Sequence, residues 1–198
     1  MTALTTPFVQ LEPSATAGTW TATMSAPARA GTLALFSGVL TLCDLDIAWA
    51  SVRVHADGTV HDSFEVTPTE PGASAAQVAE KLEAAVADAW AGRLDIHAAL
   101  AARRASHQAQ STEPPVVEVD SDSEITLGIR VRAADRPGLL HDVALAISQC
   151  GLRTRSITVL TIAGVARDTF RVVDANGRPP SNPHELRSIQ LAVLAACS

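Results

Sequence analysis

Apolar and polar positions along this chain alternate, switch to helical spacing and alternate again, and the whole succession occurs twice. Residues 20–24 and 126–131 carry β-branched side chains in alternation, which predicts a first strand in each half. A glycine follows in both, and apolar side chains then recur at i, i+3, i+4 and i+7. Leu33, Phe36, Ser37 and Leu40 hold these places in the first half and Leu140, Val143, Ala144 and Ile147 in the second, the stripe of an amphipathic helix. Residues 45–54 and 152–162 predict a second strand, Asp57-Gly58 and Ala163-Gly164 predict hairpin turns, and third strands end at Val66 and Val173. A closing helix is predicted over 74–91 and again over 183–196, the first opening at Ser74 with Gln77 in capping-box spacing. The first half adds a helical pattern over 96–105, with Arg103 and Arg104 on its polar side.

The correspondence runs residue by residue. A shift of 107 places Arg29, Gly31, Leu33, Cys43, Leu45 and Val52 on Arg136, Gly138, Leu140, Cys150, Leu152 and Val159. Past Ala56 the shift is 106, setting Asp62, Phe64 and Val66 on Asp168, Phe170 and Val172; upstream, Pro7 and Val9 match Pro115 and Val117 at 108. Two copies of one supersecondary unit account for the length. The expected fold class is α+β: two ferredoxin-like βαββαβ sandwiches, antiparallel sheets with helices on one face.

The first domain is expected over 12–105 and the second, with a preceding edge strand, over 115–198. The polar, Pro-ending stretch 106–114 reads as a linker and 1–11 as an N-terminal segment with a strand in it. Strand 115–119 is expected to complete the first sheet and strand 7–11 the second, an exchange between copies. In the second strands, Ala50, Val52, Val54, Ile157 and Val159 are expected to face the helices. Thr154, Ser156 and Thr158 are expected to face away, as are Ile47 and Trp49, which makes the outer face of copy one apolar.

Composition narrows the function. The 198 residues are 47% apolar and 18% charged, enough for a buried core and too ordered a mixture for wholesale disorder. Fifteen basic against 21 acidic side chains, a net charge of −6, and few aromatics argue against a nucleic-acid partner. The longest apolar stretch, 33–42, stops at Asp44 and Asp46, short of the roughly 20 residues that span a bilayer. The first basic residue, Arg29, comes too late for a secretory leader, so a cytoplasmic protein without a membrane partner is expected. Cys43, Cys150 and Cys197 match neither a zinc knuckle nor a redox pair, and a structural role follows.

The run Asp135-Arg136-Pro137-Gly138-Leu139-Leu140, the helix after it, a strand beginning Gly151-Leu152, and Asp168-Thr169-Phe170 closely resemble an ACT domain. Gly31-Thr32-Leu33, Asp57-Gly58 and Asp62-Ser63-Phe64 resemble a diverged copy. The tandem layout, with Ala91-Gly92-Arg93-Leu94-Asp95 and Pro-Pro-Val-Val-Glu-Val before copy two, is similar to the C-terminal regulatory half of the bifunctional uridylyltransferase that modifies PII nitrogen-signalling proteins. The resemblance implies a βαββαβ module that senses an amino acid, glutamine first, and regulates nitrogen metabolism. It also implies a PII-type or other regulatory partner and homo-oligomers formed through the sheets. The nucleotidyltransferase and metal-dependent phosphohydrolase signatures of that enzyme do not occur in this sequence. A non-catalytic regulatory module, stand-alone or a fragment of a larger enzyme, is therefore expected, without metal or cofactor.

A physical argument places the ligand at the loop before the first helix. Gly138 lets a ligand approach the backbone, Pro137 suits a first helical turn, and the N–H groups of Leu139 and Leu140 are expected to point outward at a positive helix end. Asp135 offers an acceptor for an ammonium or amide group, with helix capping as its alternative, while Arg136 contacts ligand or stands in solvent. In copy one, Arg29, Gly31, Thr32 and Leu33 hold the matching places, but Ala28 and Ala30 replace the acid and the proline. Weak binding or a structural wall is expected there.

His141-Asp142 lies inside a helix without further ligands, His55, His61, His97, His107 and His184 read as surface residues, and Lys81 reads as pairing with Glu80 and Glu83. No catalytic serine elbow, phosphate loop or dinucleotide fingerprint occurs. The competing reading is a structural or protein-interaction module that uses the outer face around Trp49.

Overall fold

The computed structural model describes residues 6–104, 113–121 and 123–198. Copy one contains β1 (Phe8–Pro13), β2 (Trp20–Pro27), α1 (Thr32–Leu42), β3 (Leu45–Val54), β4 (Thr59–Pro68), α2 (Ala75–Trp90) and α3 (Ile96–Arg104). Copy two contains β5 (Val116–Asp120), β6 (Leu127–Ala134), α4 (Leu139–Gln149), β7 (Arg153–Thr158), β8 (Thr161–Ile162), β9 (Val165–Val173) and α5 (Pro183–Ala196). The linker expected over 106–114, and His107 with it, lies outside the described residues except for 113 and 114.

Both sheets are antiparallel, ordered β1-β2-β4-β3 and β5-β6-β9-β7, with β8 paired to β9. This is the strand order of a ferredoxin-like, ACT-like unit, with the edge strand arriving before the unit. The exchange of edge strands does not occur. β1 pairs with β2 from Phe8↔Ser25 to Pro13↔Trp20, and β5 pairs with β6 from Val116↔Arg132 to Asp120↔Gly128. The reason is the connection: Ser14 N–H donates to the Thr19 carbonyl at 3.0 Å, and Gly18 takes φ 83°. So short a turn folds the chain back on itself before a distant edge can compete.

Helices cover one face of each sheet, and a continuous apolar core runs from Val9 to Cys197 through both copies. The helix α1 is buried from Thr32 through Leu40, because α2, α3 and α4 all pack on it as well as β3. A helix apolar on all sides is what such a central place demands, and Ser37 satisfies its hydroxyl internally by donating to the Leu33 carbonyl at 2.8 Å. Where α1 meets α4, His141 Nδ1 lies 2.7 Å from the Ala34 carbonyl oxygen. Ala34 and His141 are equivalents at the 107 shift, and equivalents that meet across a contact mark an approximate two-fold axis between the copies. Gly38 makes room, since a Cβ there would stand 2.6 Å from His141 Nδ1 and 2.4 Å from Ile96 Cγ2. The edge strands β3 and β7 lie side by side at the same boundary.

Three local expectations change. Val54, at the hairpin end of β3, is 39% exposed rather than buried. A register break between Ile47 and Trp49 resets the alternation, so Ile47 is half-buried against the core while Trp49 stays exposed. The matching break in copy two falls between Thr154 and Ser156. Ser74 is the N-cap of α2, yet its side chain makes no capping bond, so the capping box is not formed. Among the described residues, no helix is long and apolar enough to cross a membrane.

Candidate functional site

Each copy turns from its first long strand into its first helix through a left-handed glycine, Gly31 at φ 79° and Gly138 at φ 78°. Only glycine takes that conformation without strain. The helix begins one residue later in both cases, so Pro137 precedes the first turn rather than lying in it. The Leu139 N–H is not presented outward either. It donates to the Arg136 carbonyl at 3.1 Å, as the Thr32 N–H does to that of Arg29 at 3.4 Å, closing the turn on itself.

These two turns floor two clefts related by the repeat. The first, of about 270 Å³, is walled by residues 28–34 and Asp62 from copy one, and by Ser148, Leu152, Arg153 and Arg155 from copy two. The second, of about 340 Å³, is walled by residues 135–140 and Asp168 from copy two, and by Thr41, Asp44, Leu45, Asp46 and Ile47 from copy one. All ten of the expected site residues line these clefts: Arg29, Gly31, Thr32 and Leu33 the first, and Asp135, Arg136, Pro137, Gly138, Leu139 and Leu140 the second. Each cleft thus needs both copies.

The side chains that give the clefts their chemistry are Asp62 and Asp168, which the motif reading includes without a role. Asp62 is fully buried and Asp168 nearly so; among the described residues, both Asp62 carboxyl oxygens and Asp168 Oδ1 lack a hydrogen-bond partner. Burial pushes Asp62 up to about 8. Burial also raises Asp168, to about 7, against the pull of the Leu160 amide and with the added repulsion of Asp135. A legible signal exists, because the alternation of β4 puts Asp62 in phase with buried Val60, Phe64 and Val66. An acid on the core face of a strand is the kind of polar residue that needs an explanation.

Several side chains stand differently from expectation. Asp135 lines the second cleft, its N–H donates to the Gly164 carbonyl at 2.8 Å, and the N-cap position of α4 falls on Gly138. Arg136 is not in solvent. Its guanidinium donates to Asp142 Oδ2 and to the Ala196 carbonyl, both at 2.7 Å, tying the turn to the end of α5. Arg29 lies 3.4 Å above the Trp90 ring and donates to the Trp90 carbonyl. Lys81 pairs with Asp44 at 2.8 Å instead of with its helix neighbours.

His97, His141 and Asp142 bring three ligand atoms within 4.8 Å of one another. Arg104 at 3.1 Å and Arg136 at 2.7 Å already hold both Asp142 oxygens, and two guanidinium charges oppose a cation there. Burial raises the thiols of Cys43 and Cys197 to about 11, which makes them poor nucleophiles.

Fold and clefts together define the class: an α+β protein of two ACT-like, ferredoxin-like units with paired clefts at their junction. The chain is similar to the bifunctional uridylyltransferase/uridylyl-removing enzyme of Streptomyces coelicolor, at 34% identity over 79% of this chain and 20% of that enzyme. The corresponding enzyme of Gluconobacter oxydans is 32% identical over 84% of this chain and 18% of its own length, and that of Azospirillum brasilense 27% over 84% and 18%. The chain therefore spans about a fifth of the length of these relatives. No protein-family model matches it. An aspartate kinase from Synechocystis superposes with a TM-score of 0.45 at 17% identity, over 80% of this chain and 25% of that one, too loose a likeness to say anything of function.

Proposed function

We propose that this chain is a non-catalytic regulatory module that binds free amino acids in the clefts between its two copies, glutamine first and in the second cleft. The observation that carries the reading is the pair of clefts, each holding a buried carboxyl that, among the described residues, lacks a full set of hydrogen bonds beside a glycine turn. In the second cleft Asp135 and Asp168 suit an ammonium and a side-chain amide, while the N-terminal end of α4 favours a carboxylate. Glutamine is the first candidate because the sequence resembles the regulatory part of the PII-modifying enzyme, a resemblance that the uridylyltransferase/uridylyl-removing relatives support. Both copies wall each cleft, so a ligand that prefers one arrangement of the copies biases that arrangement. A PII-type or other metabolic regulatory protein is the partner that would read it, or an enzyme of which this chain forms part.

The test is titration calorimetry and thermal melting against the standard amino acids. Glutamine at about 100 times its dissociation constant should stabilise the fold by about 2.7 kcal/mol, and Asp168→Asn should weaken its binding. No heat and no melting shift with any amino acid would overturn the reading. A complex with a protein partner under the same null result would instead favour an interaction module acting through the exposed Trp49 face.

A further inference from the structure

The two clefts share one backbone plan, so their charged linings can be compared position by position. Where the second cleft has Asp46, the first has Arg153; where copy one has Ala48 at the β3 register break, Arg155 holds the matching place in copy two. Asp135 in the second cleft corresponds to Ala28 in the first, and Asp44 corresponds to Gly151. Every one of these differences removes negative charge from the first cleft or adds positive charge to it. Among the described residues, the first cleft is lined by three arginines and one carboxyl, and the second by four carboxyls and two arginines.

The arginines of the first cleft are not equally committed. Arg29 is engaged with Trp90. Arg153 and Arg155 are exposed, and among the described residues their side chains have neither an ion pair nor a hydrogen bond. Two unengaged guanidinium groups on one strand, opposite a glycine turn, form a receptor for a carboxylate. Across the cleft the buried Asp62, whose carboxyl oxygens have no hydrogen-bond partner among the described residues, offers the complementary acceptor for an ammonium group, giving up its proton as the ammonium binds.

We propose that the first cleft takes an acidic amino acid, glutamate being the probe, with its side-chain carboxylate on Arg153 and Arg155 and its ammonium on Asp62. This rests on the amino-acid-sensing reading and gives that reading two ligands of different charge.

The experiment is calorimetric titration of L-glutamate into the full chain, alone and with saturating L-glutamine. Glutamate should bind in both cases, because the clefts are separate. The surface double variant R153Q/R155Q should bind glutamate about tenfold or more weakly and bind glutamine as the parent does. D62N should also weaken glutamate, and the 2-oxo dicarboxylate of the same length, which lacks the ammonium, should bind less well than glutamate. The proposal is overturned if glutamine binds and glutamate does not, if R153Q/R155Q leaves glutamate affinity unchanged, or if the 2-oxo acid is the tighter ligand. A response to glutamine alone, or to any other amino acid but not glutamate, removes only this charge assignment, whereas silence toward every standard amino acid removes the sensing reading with it.

Discussion

Asp62 and Asp168 make the stability of the chain depend on pH. A carboxyl whose pKa is raised by folding holds its proton more tightly in the folded than in the unfolded state. Stability is then largest below the unfolded value near 3.8 and falls as pH rises toward about 8 for Asp62 and about 7 for Asp168. Within that window each pH unit costs up to about 1.4 kcal/mol per carboxyl. Asp44 does not offset this. Burial acts upward on it, but its bonds to Arg103 and Lys81 win and lower its pKa, so its effect lies below the window. His141, whose pKa burial lowers from 6.5, opposes the decline below that value, so thermal melts should show stability declining from neutral to weakly basic pH, and Asp62→Asn should flatten the decline and raise the melting temperature at the basic end. A flat profile in the unsubstituted chain would mean that both carboxyls are solvated.

Between elements, the contact of α1 with α4 decides how the copies sit. Gly38 is the place where α1 is thin enough to admit His141 and Ile96, both buried. Alanine is ordinarily the better helix former, by about 1 kcal/mol. Here its methyl would meet two side chains that have nowhere to go, and overpacking of this kind costs about 1–3 kcal/mol. Gly38→Ala is therefore expected to lower stability in urea denaturation, against the usual sign of that substitution in a helix. The added α3 has a related part. Arg103 donates to the Thr41 and Leu42 carbonyls at 2.9 and 2.7 Å and to Asp44 at 2.6 Å, closing the C-terminal end of α1, and Leu100 packs where a Cβ on Gly138 would stand. Copy one thereby buttresses the ligand turn of copy two.

At the scale of the molecule, one core passes through both copies, which predicts a single cooperative unfolding event. The sequence supplies a convenient check, since Trp20, Trp49 and Trp90 all belong to copy one. Tryptophan fluorescence follows copy one, while far-ultraviolet circular dichroism follows both. The two urea transitions should coincide, and a fluorescence change that clearly precedes or follows the dichroism would show that the copies unfold independently. Coupling of this kind is also what lets a ligand in either cleft influence the whole chain.

The sequence by itself determined the repeat, the fold class and most elements, because strand alternation and helical spacing are local and the burial they encode is the same in both copies. It also placed the two glycine turns, since a left-handed residue before a helix leaves a readable mark. Which sheet each edge strand joins, whether Ser74 caps a helix, and what Arg136 and Lys81 pair with were decided only by the tertiary structure. Those outcomes depend on turn lengths and on neighbours brought from far along the chain. The clefts belong to the second group for the same reason: a turn in one copy becomes half of a cleft only when the helix end and strand of the other copy pack against it, and no local pattern carries that distance.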